Sequence, residues 1–151
     1  MRDQIDSKLI TALQENAQAT AQELAETLGL SASQAARRRQ KLEASGVILG
    51  YRAELDAAAL GLGVQAFVQV QLLNHDPKMT QSFNKLMVSQ PEIVSAWAMT
   101  GDADLLLRIY SKTLASLNTL IHDILLPHGA VSRVHSQIVM NQIKQDAPLP
   151  A

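Results

Sequence analysis

The sequence predicts an α+β chain in two parts, an N-terminal winged helix-turn-helix followed by a C-terminal ferredoxin-like βαββαβ plait. Three observations carry that expectation. Apolar residues recur at helical spacing as far as Leu42 and then alternate strictly from Val64 to Leu72. Two helix-capping signatures flank Gly29 closely. Arginines 37, 38 and 39, with Lys41, form a basic run that has no acidic residue from Ser31 to Leu42.

Bulk composition narrows the classes. The chain has 151 residues, 47% of them hydrophobic, and a formal net charge of -1, which suits a globular protein with a packed core. The absence of cysteine excludes disulfides and thiolate metal sites. The opening "MRDQIDSKLI" lacks the apolar run of a signal peptide, and no apolar stretch is long enough to span a bilayer, so the expected location is the cytoplasm. A near-neutral balance argues against general adhesion to nucleic acid and confines any such contact to a local patch.

The first helix, in residues 3–16, places Ile5, Leu9, Ile10 and Leu13 on one face. At "TAQELAETLG" Thr20 caps the free amides of a second helix while Glu23 reaches back to the Thr20 amide. Leu24 and Leu28 face inward, Ala25 is small where two helices cross, and Gly29 supplies the left-handed residue that ends the helix. Ser31 with Gln34 repeats the capping pattern and opens a third helix. Two helices joined by so short a turn, the second basic, make a helix-turn-helix, the unit that lays its second helix in the DNA major groove. "VILGYRAEL" alternates enough to form two short strands, a wing.

Helical geometry sorts the basic run. Ala35 and Leu42 define the inward stripe, which passes through Arg38 and Arg39, so one of these two points toward protein. The opposite stripe takes in Ser33 or Gln34, then Arg37 and Lys41. Residues near the start of a recognition helix reach base edges, which selects Gln34 and Arg37; Ser33, Lys41 and one of Arg38 or Arg39 are left for phosphates, beside the cap at Ser31. A solvated basic face is the alternative for an isolated charge run, and the helix-turn-helix frame argues against it.

Glycines 61 and 63, preceded by three alanines, mark the boundary between residues 1–62 and 63–151. Val64, Ala66, Val68, Val70 and Leu72 alternate with Gln65, Phe67, Gln69 and Gln71 as a half-buried strand. The glutamines face a partner subunit or water, two readings the sequence leaves open. Met79, Phe83, Leu86 and Met87 fall at helical spacing before Pro91, "IVSAWAM" and "LLLRIYS" are strands joined by "TGDAD", a helix runs through Leu114, Leu117, Leu120, Ile121 and Ile124 to Pro127, and "RVHSQIVMNQIK" is the last strand. The order βαββαβ implies an antiparallel sheet with helices on one face.

"IDSKLITALQENAQATAQELAETLGLSASQAARRRQKLEASGVILGYRAELD", "LGLGVQAFVQV" and "TGDADLLLRI" together resemble the Lrp/AsnC family of feast-or-famine transcription regulators over nearly the whole chain. The resemblance implies a regulator that binds double-stranded DNA, dimerises through its C-terminal sheets, often assembles further to tetramers or octamers, and senses a small effector, commonly an amino acid; it implies no cofactor and no metal. Arg39 stands where the family more often has an aliphatic residue, and Ser136 where its last strand often has threonine. The family's effector loop coincides with "TGDAD". An Asp in such a turn commonly serves local backbone hydrogen bonds alone, but here the resemblance implies an effector site with Asp104 as the ammonium partner, Gly101 and Asp102 as backbone contributors, and Ser136 as a hydroxyl from the last strand.

Two other functions draw on some of the same residues. The fold also resembles siroheme decarboxylases, which act through histidines, and the chain contains His75, His122, His128 and His135. None of these forms a metal-ligand pair at helical or strand spacing, and no nucleophile or phosphate loop accompanies them, so no enzymatic activity is expected. A DNA-organising protein without an effector shares the DNA half and differs only at "TGDAD".

Overall fold

The computed structural model describes residues 3–73 and 76–150, which form two compact units: residues 3–54 together with 143–150, and residues 55–142 as far as they are described. The division falls at Glu54/Leu55, ahead of the glycine pair at which the sequence places it, and the C-terminal segment belongs to the first unit. Gln14 anchors that segment: its side-chain amide donates to the Leu149 carbonyl at 3.0 Å, and its Oε1 accepts from the Leu149 amide at 2.6 Å.

The first unit contains α1 (Gln4–Glu15), α2 (Ala21–Leu28) and α3 (Ala32–Ala44). Each begins with a reciprocal capping box, Asp3 with Asp6, Thr20 with Glu23 and Ser31 with Gln34, so the free amides of every first turn find an acceptor. Gly29 ends α2 in the left-handed conformation at φ 67°, and the Leu30 amide donates to the Ala25 carbonyl across the turn. Leu9, Leu13, Ala19, Leu24, Ala25, Ala35 and Leu42 make one core. Ala25 and Ala35 are both buried in it, and their small side chains let α2 and α3 approach closely.

The expected wing strands do not form. Residues 47–55 enter no strand among the described residues. The amides of Val47 and Ile48 both donate to the Leu42 carbonyl, so the chain leaves α3 in a turn; Ile48 packs on the helical core, and Tyr51 is drawn to α3 rather than across a hairpin. Alternation alone did not signal strands here, because a two-stranded wing also needs a turn that folds the stretch back on itself.

The second unit contains β1 (Val64–Leu72), α4 (Pro77–Ser89), β2 (Ile93–Ala98), β3 (Leu105–Ser111), α5 (Leu114–Thr119) and β4 (Val131–Ile138). The strands form one antiparallel sheet in the order β2-β3-β1-β4, the arrangement of a ferredoxin-like plait. Ala66, Val68, Val70, Leu107 and Ile109 pack under Phe83 and Met87 of α4 and under Leu117, Leu120, Ile121 and Leu125. The intervening residues of the central strands, among them Phe67, Gln69, Leu106 and Tyr110, belong to the sheet's other face.

Two elements depart from the expected outline. Past Thr119 the helix widens into a π-helical turn over Leu120–Leu125, closed by the Leu126 amide on the Ile121 carbonyl, five residues back. That spacing buries Leu120 and Leu125 together. The last strand stops at Ile138 rather than running to Lys144, because its partner β1 begins at Val64 and Ile138 already pairs with Ala66.

Candidate DNA-binding and effector sites

Burial of Ala35 and Leu42 fixes the rotation of α3 and thereby the direction of its cations. The inward stripe predicts that one of Arg38 and Arg39 points toward protein; both are engaged. The Arg38 guanidinium donates to Asp3 at 2.8 Å and to Asp6 at 2.6 Å, linking α3 to the start of α1. Arg39 donates through Nε to Glu43 at 3.0 Å and through Nη1 to the Ala19 carbonyl at 3.1 Å, while its guanidinium carbon lies 4.7 Å from the centre of the Tyr51 ring. The Tyr51 hydroxyl donates to the same Glu43 oxygen at 2.8 Å. This cage explains how an arginine occupies a position where an aliphatic side chain would simply pack: its charge is met by Glu43 and its flat face by Tyr51.

The side chains of Arg37 and Lys41 are exposed and, among the described residues, make no hydrogen bond or ion pair within the chain. Both line a cleft of about 340 Å³ together with Gln34, Leu30, Arg38 and the two carboxylates of α1. At the N-terminus of α3 the Ser31 and Ser33 hydroxyls lie 3.1 Å apart, and the Gln34 Oε1 accepts from the Ser31 amide, while the exposed side chain keeps its amide nitrogen as a further donor.

These contacts shift the groups that make them. The Asp6 backbone amide first, then the Arg38 guanidinium, hold the Asp3 carboxyl below its ordinary value, and hydrogen bonds to Asp3 and Asp6 raise Arg38. The Tyr51 hydroxyl and Arg39 lower Glu43, and burial, followed by the Glu43 hydrogen bond, raises Tyr51.

In the second unit the β2–β3 loop is built around Asp104. Its amide donates to the Val70 carbonyl, its carbonyl accepts from the Met99 amide, and its carboxylate accepts from the Leu72 amide at 2.7 Å. Gly101 turns the loop at φ 111°, where a side chain would be strained. Asp104 is therefore a loop-holding residue, and the carboxylate beside the adjoining cavity is that of Asp102. That cavity, of about 230 Å³, is lined by Gln69, Gln71, Asp102, Ala103, Arg133 and His135.

Ser136 is not brought to it. Ser136 pairs with Val68, whose side chain is in the helix-covered core, and lines a separate groove with Leu117, Ile121 and His122; His135, one residue earlier, pairs with Gln69 and faces the Asp102 cavity. The strand's period of two separates them. In the sequence His135 stands out only as one of four histidines and Arg133 not at all, although both are polar and flank the half-buried Val134.

The three described histidines do not converge. His128 accepts from the Ala130 amide at Nδ1, contacts the Ser82 hydroxyl at 3.1 Å through Nε2 and packs on Phe83, a structural role. His122 and His135 line different cavities, and His75 lies outside the described residues. Among the described residues no group of three His, Asp or Glu could hold a metal ion, and no helix is long and apolar enough to cross a membrane.

Carboxyls lowered in the folded state stabilise it above their unfolded pKa values, and that contribution is lost as the pH falls through the folded ones. The unfolding midpoint is therefore expected to fall below about pH 4, and to fall less steeply in Glu43→Gln, in thermal unfolding followed by circular dichroism.

Residues 3–43 match the AsnC-type helix-turn-helix domain and residues 65–149 the Lrp/AsnC ligand binding domain. The leucine-responsive regulatory protein of Rhizobium meliloti is 37% identical over 142 residues, 94% of this chain and 91% of that protein. The DNA-binding transcriptional activator DecR of Escherichia coli is 31% identical over 150 residues, 99% of each. Among solved structures, a transcriptional regulator of Neisseria meningitidis in complex with L-Met superposes with a TM-score of 0.95 at 33% identity, covering 99% of this chain and 97% of that one. With both domain matches in order along one chain and relatives that are named regulators rather than enzymes, the protein belongs to the Lrp/AsnC family of DNA-binding transcriptional regulators.

Proposed function

We propose that the protein reads DNA through Arg37 and Gln34, positions itself on phosphates through Lys41 and the Ser31–Ser33 cap, and adjusts this activity to a free amino acid bound at the β2–β3 loop in the cytoplasm. One observation carries the DNA assignment: of the four cations on α3, Arg38 and Arg39 are engaged within the unit, while Arg37 and Lys41 are exposed on one face beside Gln34. An outward arginine near the start of a recognition helix can donate two parallel hydrogen bonds to guanine, whereas a lysine a turn later meets the backbone as a point charge.

For the effector, the cavity beside Asp102 offers the two groups a zwitterion needs, a carboxylate for the ammonium and the Arg133 guanidinium for the carboxylate. Gly101 and Asp104 shape the loop that presents Asp102. Ser136 has no part in this site. The L-Met complex of the Neisseria relative supports an amino acid as the class of ligand.

The open sheet face, with Phe67, Leu106 and the partly exposed Trp97, supports a homodimer formed through the second unit, and dimers of this kind would assemble to tetramers or octamers. Light scattering at micromolar concentration should give at least twice the chain mass; a monomer would overturn the assembly.

Arg37→Ala should weaken binding to the cognate operator by about 1–3 kcal/mol and relax base preference, whereas Lys41→Ala should weaken binding to all sequences about equally and flatten its salt dependence. Fluorescence anisotropy titrations on operator and scrambled duplexes check both. Unchanged affinity and preference in Arg37→Ala would refute the assigned orientation.

Isothermal titration over the twenty amino acids should find at least one ligand, and either Asp102→Ala or Arg133→Ala should weaken it by about 1.5–3 kcal/mol, the range for a hydrogen bond to a charged group. Ligand binding unaffected by both substitutions would place the effector elsewhere.

A further inference from the structure

The DNA-facing cleft contains two carboxylates where a surface shaped only for affinity would contain none. Asp3 and Asp6 line it alongside Gln34, Arg37 and Lys41. The Asp6 side chain is only 9% exposed and the Asp3 side chain 52%, so one is embedded between α1 and α3 and the other stands at the rim, open to an approaching duplex. Both converge on a single nitrogen of Arg38, a residue more than thirty positions away in sequence, with Asp6 at 2.6 Å and Asp3 at 2.8 Å. Asp3 also caps α1 by accepting from the Asp6 amide at 2.8 Å, so the triad ties the first turn of α1 to the middle of α3.

The charge balance is informative. Two carboxylates against one guanidinium leave this cluster at -1, on the face where Arg37 and Lys41 supply +2. Both carboxylates sit on Nη1, so a phosphate approaching the other donors of Arg38 would meet a guanidinium whose charge is already countered and would lie close to two carboxylates.

We propose that Asp3 and Asp6 are a counter-charge built into the DNA-binding surface: they withdraw Arg38 from the phosphate backbone, make it a positioning residue that braces α3 against α1, and hold down affinity for arbitrary duplex so that contacts to base edges decide where the protein binds. Sequence discrimination is the difference between specific and non-specific affinity, and the non-specific part is almost wholly electrostatic. Removing rim carboxylates raises that part without adding any base contact. The inference rests on α3 being the helix that meets DNA.

The test is the salt dependence of binding of the full chain to a scrambled duplex, read by fluorescence anisotropy, with Asp3→Asn, Asp3→Asn/Asp6→Asn and Lys41→Ala beside the wild type. Asparagine retains the oxygen that caps α1, and helix stability is preserved by it. On the proposal, Asp3→Asn tightens scrambled-duplex binding several-fold at low salt, steepens the slope of log affinity against log salt by up to about one per recognition helix, and lowers the ratio of operator to scrambled affinity; the double variant does so further. Should the double variant fail to fold, Asp3→Asn alone carries the test. A slope and scrambled affinity equal to the wild type in folded Asp3→Asn would overturn the proposal, as would a parallel fall in operator and scrambled binding with a lowered melting temperature, the mark of a purely structural brace. Lys41→Ala separates the underlying reading: a slope that it leaves unchanged removes α3 from the DNA and overturns both, whereas a slope that it flattens while Asp3→Asn leaves it unmoved overturns the counter-charge alone.

Discussion

The burial of Ala35 and Leu42 is the constraint on which the DNA-binding unit depends. An α-helix has one rotational phase, and once two residues seven apart are committed to the core, every other side chain has its direction assigned. Ala35 is fully buried and Leu42 nearly so, against Leu9, Leu13, Leu24 and Ala25. With that phase set, Arg38 and Arg39 flank the buried stripe and meet acceptors supplied by α1, by the α1–α2 connection and by Glu43, while Arg37 and Lys41 emerge opposite. Four adjacent cations thus divide into two that hold the helix and two that face outward. The division follows from packing rather than from any difference in residue type.

In the second unit the corresponding constraint is the period of the strand. Val68 and Val70 are fully buried under the helices, so their neighbours Gln69 and Gln71 must lie on the other face, and the antiparallel register carries that parity to His135 and Arg133 on β4. The β2–β3 loop closes over the same face because Asp104 is fastened to β1 at two points, through its amide to Val70 and through its carboxylate to Leu72. A carboxylate that fastens the loop is a poor anchor for a ligand, which is why the proposed effector site rests on Asp102, in the same cavity lining as Arg133. Sequence proximity within "TGDAD" conceals this division of labour.

Much of the architecture is legible in the sequence because it rests on local rules. The caps at Thr20 and Ser31, the left-handed Gly29 and the alternation from Val64 to Leu72 each involve residues within one turn or one strand, and each stands where the pattern put it. What the sequence conceals depends on partners far along the chain. Arg39 has an inward role only because Ala19 and Tyr51 converge on it, and Arg38 because Asp3 and Asp6 do. "VILGYRAEL" has the alternation of strands but no second strand to pair with, and the π-helical widening after Thr119 shows itself only through the joint burial of Leu120 and Leu125. Ser136 is legible by the same rule: parity with Val134 and Ile138 places it on the helix-covered face, away from Arg133 and His135.

The near-neutral chain and the small number of outward cations belong together. Counterion release makes each phosphate contact add affinity for any duplex whatever its sequence, so a surface with many free cations binds everywhere and discriminates poorly. Engaging Arg38 and Arg39 internally reduces the phosphate-seeking charge of α3 to about that of Arg37 and Lys41, which is too little for tight binding by a single helix. The proposed homodimer restores affinity by another route, since joining two such helices makes the second contact intramolecular and multiplies binding only where two half-sites are correctly spaced. On that proposal discrimination has two sources, the base edges and the spacing. An effector that altered the assembly would act on the second of these without touching α3, and by linkage operator binding would change effector affinity by the same factor.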